Sequence, residues 1–221
     1  MGLYYVIFFG GLLASLLVSG WLRMTYNKWS KVQNASGLTG VEVAQAILRA
    51  NGLDNVRVEA VKGQLSDHYD PRSRVVRLSQ DNYSRASVAG MAVAAHEVGH
   101  AIQHAKAYAP LQWRSALAPL AGIGSQFGMY AALFGLMLGA SGLLQIGIVL
   151  FSAAVLFQVI TLPVEFDASR RALAQVNELG IVTKQDQGGA RSVLTAAAMT
   201  YVAAAATSAA YLLYFILASR E

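Results

Sequence analysis

The chain of 221 residues has 55% hydrophobic and 13% charged residues, no cysteine and a formal net charge of +5. An ordinary soluble domain is about 25% charged, so a large part of this chain belongs in lipid and only a small water-facing body remains. The missing cysteines exclude disulfides, thiolate chemistry and cysteine-held zinc, and with no block of like charges the basic excess is a topology signal rather than a nucleic-acid surface.

A bilayer core about 30 Å thick takes about 20 apolar helical residues. The first such run, Leu3–Trp21, is free of charge. It has no Lys or Arg before it and no cleavage signature after it, so it reads as an anchor rather than a signal peptide. Arg23, Lys28 and Lys31 follow, and the positive-inside rule places that flank in the cytoplasm and the N-terminus outside. Residues 1–21 are thus the expected first transmembrane helix.

Residues 22–115 form the expected water-facing domain. Thr39 and Glu42 make a capping box that opens VEVAQAILRANG, where Val41, Ala44, Ile47 and Leu48 share a face and Gly52 stops the helix. Val56–Val61 alternates with period two, and Arg74–Leu78 follows the turn-forming Asp70-Pro71-Arg72-Ser73; these predict a small sheet or hairpin. From Ser84 to just before Pro110 the pattern is that of one long helix.

That helix carries His96-Glu97-Val98-Gly99-His100. Histidines four residues apart project from one helical face and can share one Zn²⁺, while Glu97 reaches a water on the metal without displacing either imidazole. The neighbours Ala92, Val93, Ala94, Ala95, Val98, Ala101 and Ile102 are apolar. Without a metal, two histidines and a carboxylate would be buried among them at a cost of several kcal/mol. A catalytic zinc takes three protein ligands and keeps one open position. His104 is on the same stripe but lies about 12 Å along the axis from His96, so it reads as substrate-facing, outer or surface. His68 in its polar turn has three readings: a ligand, a group polarising a carbonyl, or no role. His68, His104, Tyr83 and Tyr69 are the candidates for an additional electrophile, and the strand Arg74–Leu78 is a candidate edge for an extended substrate.

Residues 116–164 hold two more apolar runs, Ala116–Ala140 and Leu143–Val164, joined by a short turn into a helical hairpin. The chain returns to the side of His96 for residues 165–192, and residues 193–221 form the fourth span and C-terminus, which ends outside. At the inner end of the third span stands Leu162-Pro163-Val164-Glu165-Phe166-Asp167-Ala168-Ser169-Arg170-Arg171. Glu165 and Asp167 can decorate a membrane-exit helix, paired with the two arginines, or serve the metal. Ionisable groups at membrane depth are costly, which favours Glu165 as the third ligand.

GMAVAAHEVGHAIQHA followed by LPVEFDASRRAL, with YDPRSRVVRLS before the motif, resembles the bacterial membrane zinc metallopeptidases of the YugP type, also called the putative neutral zinc metallopeptidase family. The likeness covers nearly the whole chain. It implies a mainly α membrane protein of about four transmembrane helices, with a small α+β zincin-like catalytic domain built around the HExxH helix. It also implies a gluzincin-like Zn²⁺ site of His96, His100 and Glu165 with Glu97 as base. More distantly the chain is similar to membrane peptidases of the HtpX and Ste24 kind, whose second motif reads Glu-x-x-x-Asp. Here position 169 is Ser, and Asp167 is the candidate for orienting a ligand imidazole. The implied protein is a multi-pass enzyme of the bacterial inner membrane that cuts peptide or membrane-protein substrates. The alternative is a zinc-bearing membrane scaffold or adaptor without activity, which lacks the four-ligand, cysteine-rich set of a structural site and gives Glu97 no task.

Overall fold

In the computed structural model, described over residues 2–220, apolar runs form the interiors of longer helices. Met1 and Glu221, the outermost residues of the expected first and last segments, lie outside the described residues. Helix α1 (Gly2–Trp29) continues past Trp21 and carries Arg23 and Lys28. After the elements between residues 30 and 108 come α5 (Ala109–Ile123), a five-residue π-helical turn Gly124–Gly128, and α6 (Met129–Met137). Two long helices follow, α7 (Ser141–Glu178) and α8 (Lys184–Ala218). Among the described residues four helical stretches are long and apolar enough to cross a membrane: α1, α5 through α6, α7 and α8. The segment 165–192 therefore consists of the end of α7, a turn at Gly180 with φ +65°, and the start of α8.

The chain divides into two compact units. The first takes residues up to 19, 109–163 and 199 onward. Its helices approach through glycine: a Cβ on Gly128 would stand 2.6 Å from the Phe151 nitrogen, and one on Gly147 2.2 Å from the Ala132 nitrogen. In lipid no hydrophobic effect drives helices together, so backbone contact of this kind supplies packing instead. Leu144, Phe151, Tyr211, Tyr214 and Phe215 fill the space between them.

The second unit, residues 20–108 and 164–198, surrounds helix α4. Helix α2 (Gly40–Ala50) begins at the capping box: Thr39 accepts from the Glu42 nitrogen, and Glu42 Oε2 accepts from the Thr39 nitrogen at 2.8 Å. Its buried face is Val43, Ala44, Ile47 and Leu48. Val43 rather than Val41 completes the stripe: 43 and 47, like 44 and 48, are four residues apart and lie one above the other on the helix. Gly52, with φ +65°, ends the helix.

Three strands rather than two follow: β1 (Arg57–Val61), β2 (His68–Asp70) and β3 (Val75–Ser79), in the order β1-β3-β2. β1 runs parallel to β3 and β2 antiparallel, with Tyr69 opposite Val76. β3 is buried on both faces and both of its edges are taken, so it offers no edge to a peptide; β1 and β2 hold the outer positions. The helix expected from Ser84 to just before Pro110 is shorter: a separate short helix, α3 (Gln80–Ser84), ends where that helix is expected to begin, and α4 spans Val88–Ala105. Pairing of residues 32–34 with 86–88 holds the start of α4 back to Val88, through Asn34 N to Ala86 O at 3.1 Å and Val88 N to Val32 O at 2.9 Å. Ser87 then caps α4, accepting from the Gly90 nitrogen at 3.0 Å. Near the C-terminal end of α1, buried Tyr26 donates to Asn82 Oδ1 at 2.8 Å, and Asn82 donates to Asp67 at 3.0 Å, tying that end of α1 to α3 and to the loop before β2.

Candidate metal centre

Helix α4 is almost wholly buried between α2, the sheet and α7, which is why its exposed face is short and its polar groups are few. One turn of helix puts His96 and His100 side by side, ring centroids 4.8 Å apart and planes at 83°. Across from them α7 presents Glu165, with Oε2 3.3 Å from His96 Nε2 and 3.7 Å from His100 Nε2. The three ligand atoms lie within 4.8 Å of one another.

Donors about 2.0–2.1 Å from one tetrahedral ion stand about 3.3 Å apart, so the two distances to Glu165 fit a common ion with little movement. Two imidazole nitrogens and a carboxylate oxygen make a donor set suited to zinc that leaves one position open. Among the described residues no fourth histidine or acid joins the group. Glu97 is 8% exposed and points from the same helix. Burial pushes its carboxyl above the usual range, against the opposing pull of His96 and His100, a shift toward the neutral pH at which a general base works best.

The approach of α7 to α4 depends on Gly99 inside the motif. A Cβ there would stand 2.6 Å from the Ala168 carbonyl oxygen, a backbone atom that moves only with its helix. Gly99→Ala is therefore expected to cost about 1–3 kcal/mol of stability and to spread Glu165 from the histidines. Thermal unfolding together with a zinc titration checks this; a variant as stable and as zinc-avid as wild type would show that the helices do not bear on each other there.

Both imidazoles have partners on their other nitrogen. His96 Nδ1 lies 3.1 Å from Ser169 Oγ, and His100 Nδ1 lies 3.0 Å from Gln103 Oε1. Ser169 and Gln103 are the two site residues that sequence reasoning missed. Spacing held a signal for each: Ser169 is one turn beyond Glu165 on α7, and Gln103 is three residues beyond His100 on α4. Asp167 touches no imidazole directly; its Oδ2 accepts from Gln103 at 3.0 Å, and it pairs with Arg170 and Arg171.

The remaining candidates lie apart from the three ligand atoms. His104 is exposed, its Nδ1 2.8 Å from the Tyr69 hydroxyl on β2. His68 is exposed on β2, its Nδ1 2.8 Å from the Ser66 carbonyl and its Nε2 3.4 Å from Arg77. Tyr83 is half-buried against the core around α2 and α4.

Residues 4–220 match the model of the family described as putative neutral zinc metallopeptidase. The chain is 46% identical over 209 residues, 93% of either chain, to the Bacillus subtilis (strain 168) protein named Putative membrane protease YugP. No solved structure matches it.

Proposed function

Because the chain belongs to the putative neutral zinc metallopeptidase family and has four helices apolar enough to cross a membrane, we propose that it is an integral-membrane zinc endopeptidase of the HExxH-plus-Glu, gluzincin-like type, built on a small zincin-like domain. The observation that carries this reading is the convergence of His96, His100 and Glu165 within 4.8 Å beside the buried Glu97.

In this mechanism His96 Nε2, His100 Nε2 and a Glu165 oxygen would hold the ion. Bound there, zinc supplies the Lewis acidity that polarises a carbonyl and lowers the pKa of water. Glu97 takes a proton from the attacking water as oxygen bonds to the carbonyl carbon, then returns it to the nitrogen as the C–N bond breaks. Burial of Glu97 and Glu165 keeps bulk water from competing for these groups. The outer edge of β2 is the place for an extended substrate, since β2 pairs on one side only and its Tyr69 reaches His104, one turn beyond His100.

The test is metal removal. The purified chain in detergent is expected to cut members of a peptide library, to lose that activity on chelation, and to regain it with about one equivalent of zinc. Cleavage indifferent to chelator would overturn the zinc assignment, and zinc-loaded protein that cuts nothing would favour a scaffold.

The basic flank of α1 and the parity of the spans support a catalytic unit in the cytoplasm with both termini outside. The chain has no cysteine, so single substitutions report cleanly. Ser141→Cys is expected to react with an impermeant thiol reagent from outside, while Ser30→Cys, Gln80→Cys and Gly180→Cys are protected; external labelling of Gln80→Cys would reverse the orientation.

A further inference from the structure

The two imidazoles are not held alike. Gln103 is wholly buried, and an amide has one accepting oxygen and two donating hydrogens on its nitrogen. Gln103 Nε2 lies 2.8 Å from the Val164 carbonyl oxygen and 3.0 Å from Asp167 Oδ2. A carbonyl and a carboxylate only accept, and the Asp167 carboxylate is itself paired with the guanidinium groups of Arg170 and Arg171. The amide nitrogen must therefore face these two oxygens. That leaves Oε1 for His100 Nδ1 at 3.0 Å, so Nδ1 has to carry a proton. Reversing the amide would set its oxygen against two acceptors and leave that buried oxygen without a donor.

His96 has no such constraint. Its partner, Ser169 Oγ at 3.1 Å, is a hydroxyl that turns and serves as donor or acceptor. Resting on the reading of His96, His100 and Glu165 as metal ligands, we propose that Gln103 and Asp167 are positioning residues that hold His100 as the Nδ1–H tautomer with its Nε2 lone pair aimed at the metal, so that His100 is the pre-set imidazole and His96 the adaptable one. Asp167 acts at one remove: it orients the amide, and the amide orients the ring. This assigns a task to a buried glutamine and to an acid that does not reach the ion's ligands itself. It also gives α7 two separate holds on α4, Glu165 through the metal and Asp167 through Gln103.

The chain holds four histidines, so the imidazole nitrogen spectrum of the full-length, ¹⁵N-histidine-labelled protein in detergent is small enough to assign by single substitution. In the zinc-loaded wild type, the His100 Nδ1–H signal is expected to be protected from solvent exchange. Gln103→Met keeps length and volume without a donor or a strong acceptor; it is expected to abolish that protection and to weaken zinc about 10- to 100-fold in competition with a chelating dye, the usual effect of losing such a partner. Asp167→Ala, which removes no atom in contact with His100, is expected to speed exchange of the same proton. Ser169→Ala leaves the His100 signal unchanged and weakens zinc less than Gln103→Met does.

Should Gln103→Met fail to fold, Asp167→Ala and Ser169→Ala still decide, since only the first reaches His100. An unchanged His100 signal in both Gln103→Met and Asp167→Ala, or a larger zinc loss in Ser169→Ala than in Gln103→Met, overturns the proposal. A wild type that takes up no zinc sinks the ligand reading instead, and a zinc-binding wild type with unaffected variants sinks this inference alone.

Discussion

Replacing Glu97 by Gln is expected to abolish hydrolysis while zinc and fold remain. Glu97 is buried, so the choice of replacement decides what the experiment measures. Alanine would open a cavity beside the ion. Glutamine keeps the size and hydrogen-bonding reach of the carboxylate and adds no charge, but it cannot take a proton from water. Loss of a general base lowers rate by about 10²- to 10⁴-fold, and more where the same group also returns the proton to the leaving nitrogen. The buried setting sharpens the expectation, because little water is present to act in its place. Initial rates on a cleaved peptide, with zinc content measured on the same preparation, separate chemistry from collapse. Equal rates for Glu97→Gln and wild type would remove Glu97 from the reaction and take the main support from the peptidase reading.

The second large effect concerns the metal itself. His96→Ala, His100→Ala and Glu165→Ala are each expected to lower zinc affinity by more than the 10- to 100-fold or so that accompanies loss of an outer partner, because each removes one of only three protein donors. Glu165→Ala is the informative member. It lies on α7, 65 positions after His100 in sequence, and the residue is 3% exposed, its carboxylate between two imidazoles. Removing it also strips the only carboxylate from the set, leaving the charge of the ion to two neutral rings. His104→Ala should keep its zinc, since His104 is exposed and bonded to Tyr69 rather than turned to Glu165. Metal analysis after gel filtration reads all four. A zinc-replete Glu165→Ala beside a metal-free His104→Ala would reassign the third ligand.

Features that depend on neighbours within one helical turn or one strand were legible in the sequence. Four-residue spacing is enough to bring His96 and His100 to one face of a helix; a Thr-x-x-Glu pair opens α2 at residue 39; and apolar runs of about 20 residues mark four helices that can cross a bilayer. Each follows from backbone geometry and from the cost of leaving apolar or polar groups in the wrong solvent, and neither needs knowledge of what the element packs against. The tertiary structure alone decided the rest. β3 lies in the middle of its sheet because β2, a three-residue strand too short to show alternation, covers its second edge. The helix expected from Ser84 starts only after Ser87 because residues 32–34 supply bonds that a helix interior would have to give up. Glu165 meets the two histidines because Gly99 lets the backbone of α7 come against α4. Ser169 and Gln103 gain their places beside His96 and His100 in the same way: serine and glutamine carry no chemistry that marks them in a sequence, and a buried polar group acquires a role only from the partners that packing sets around it.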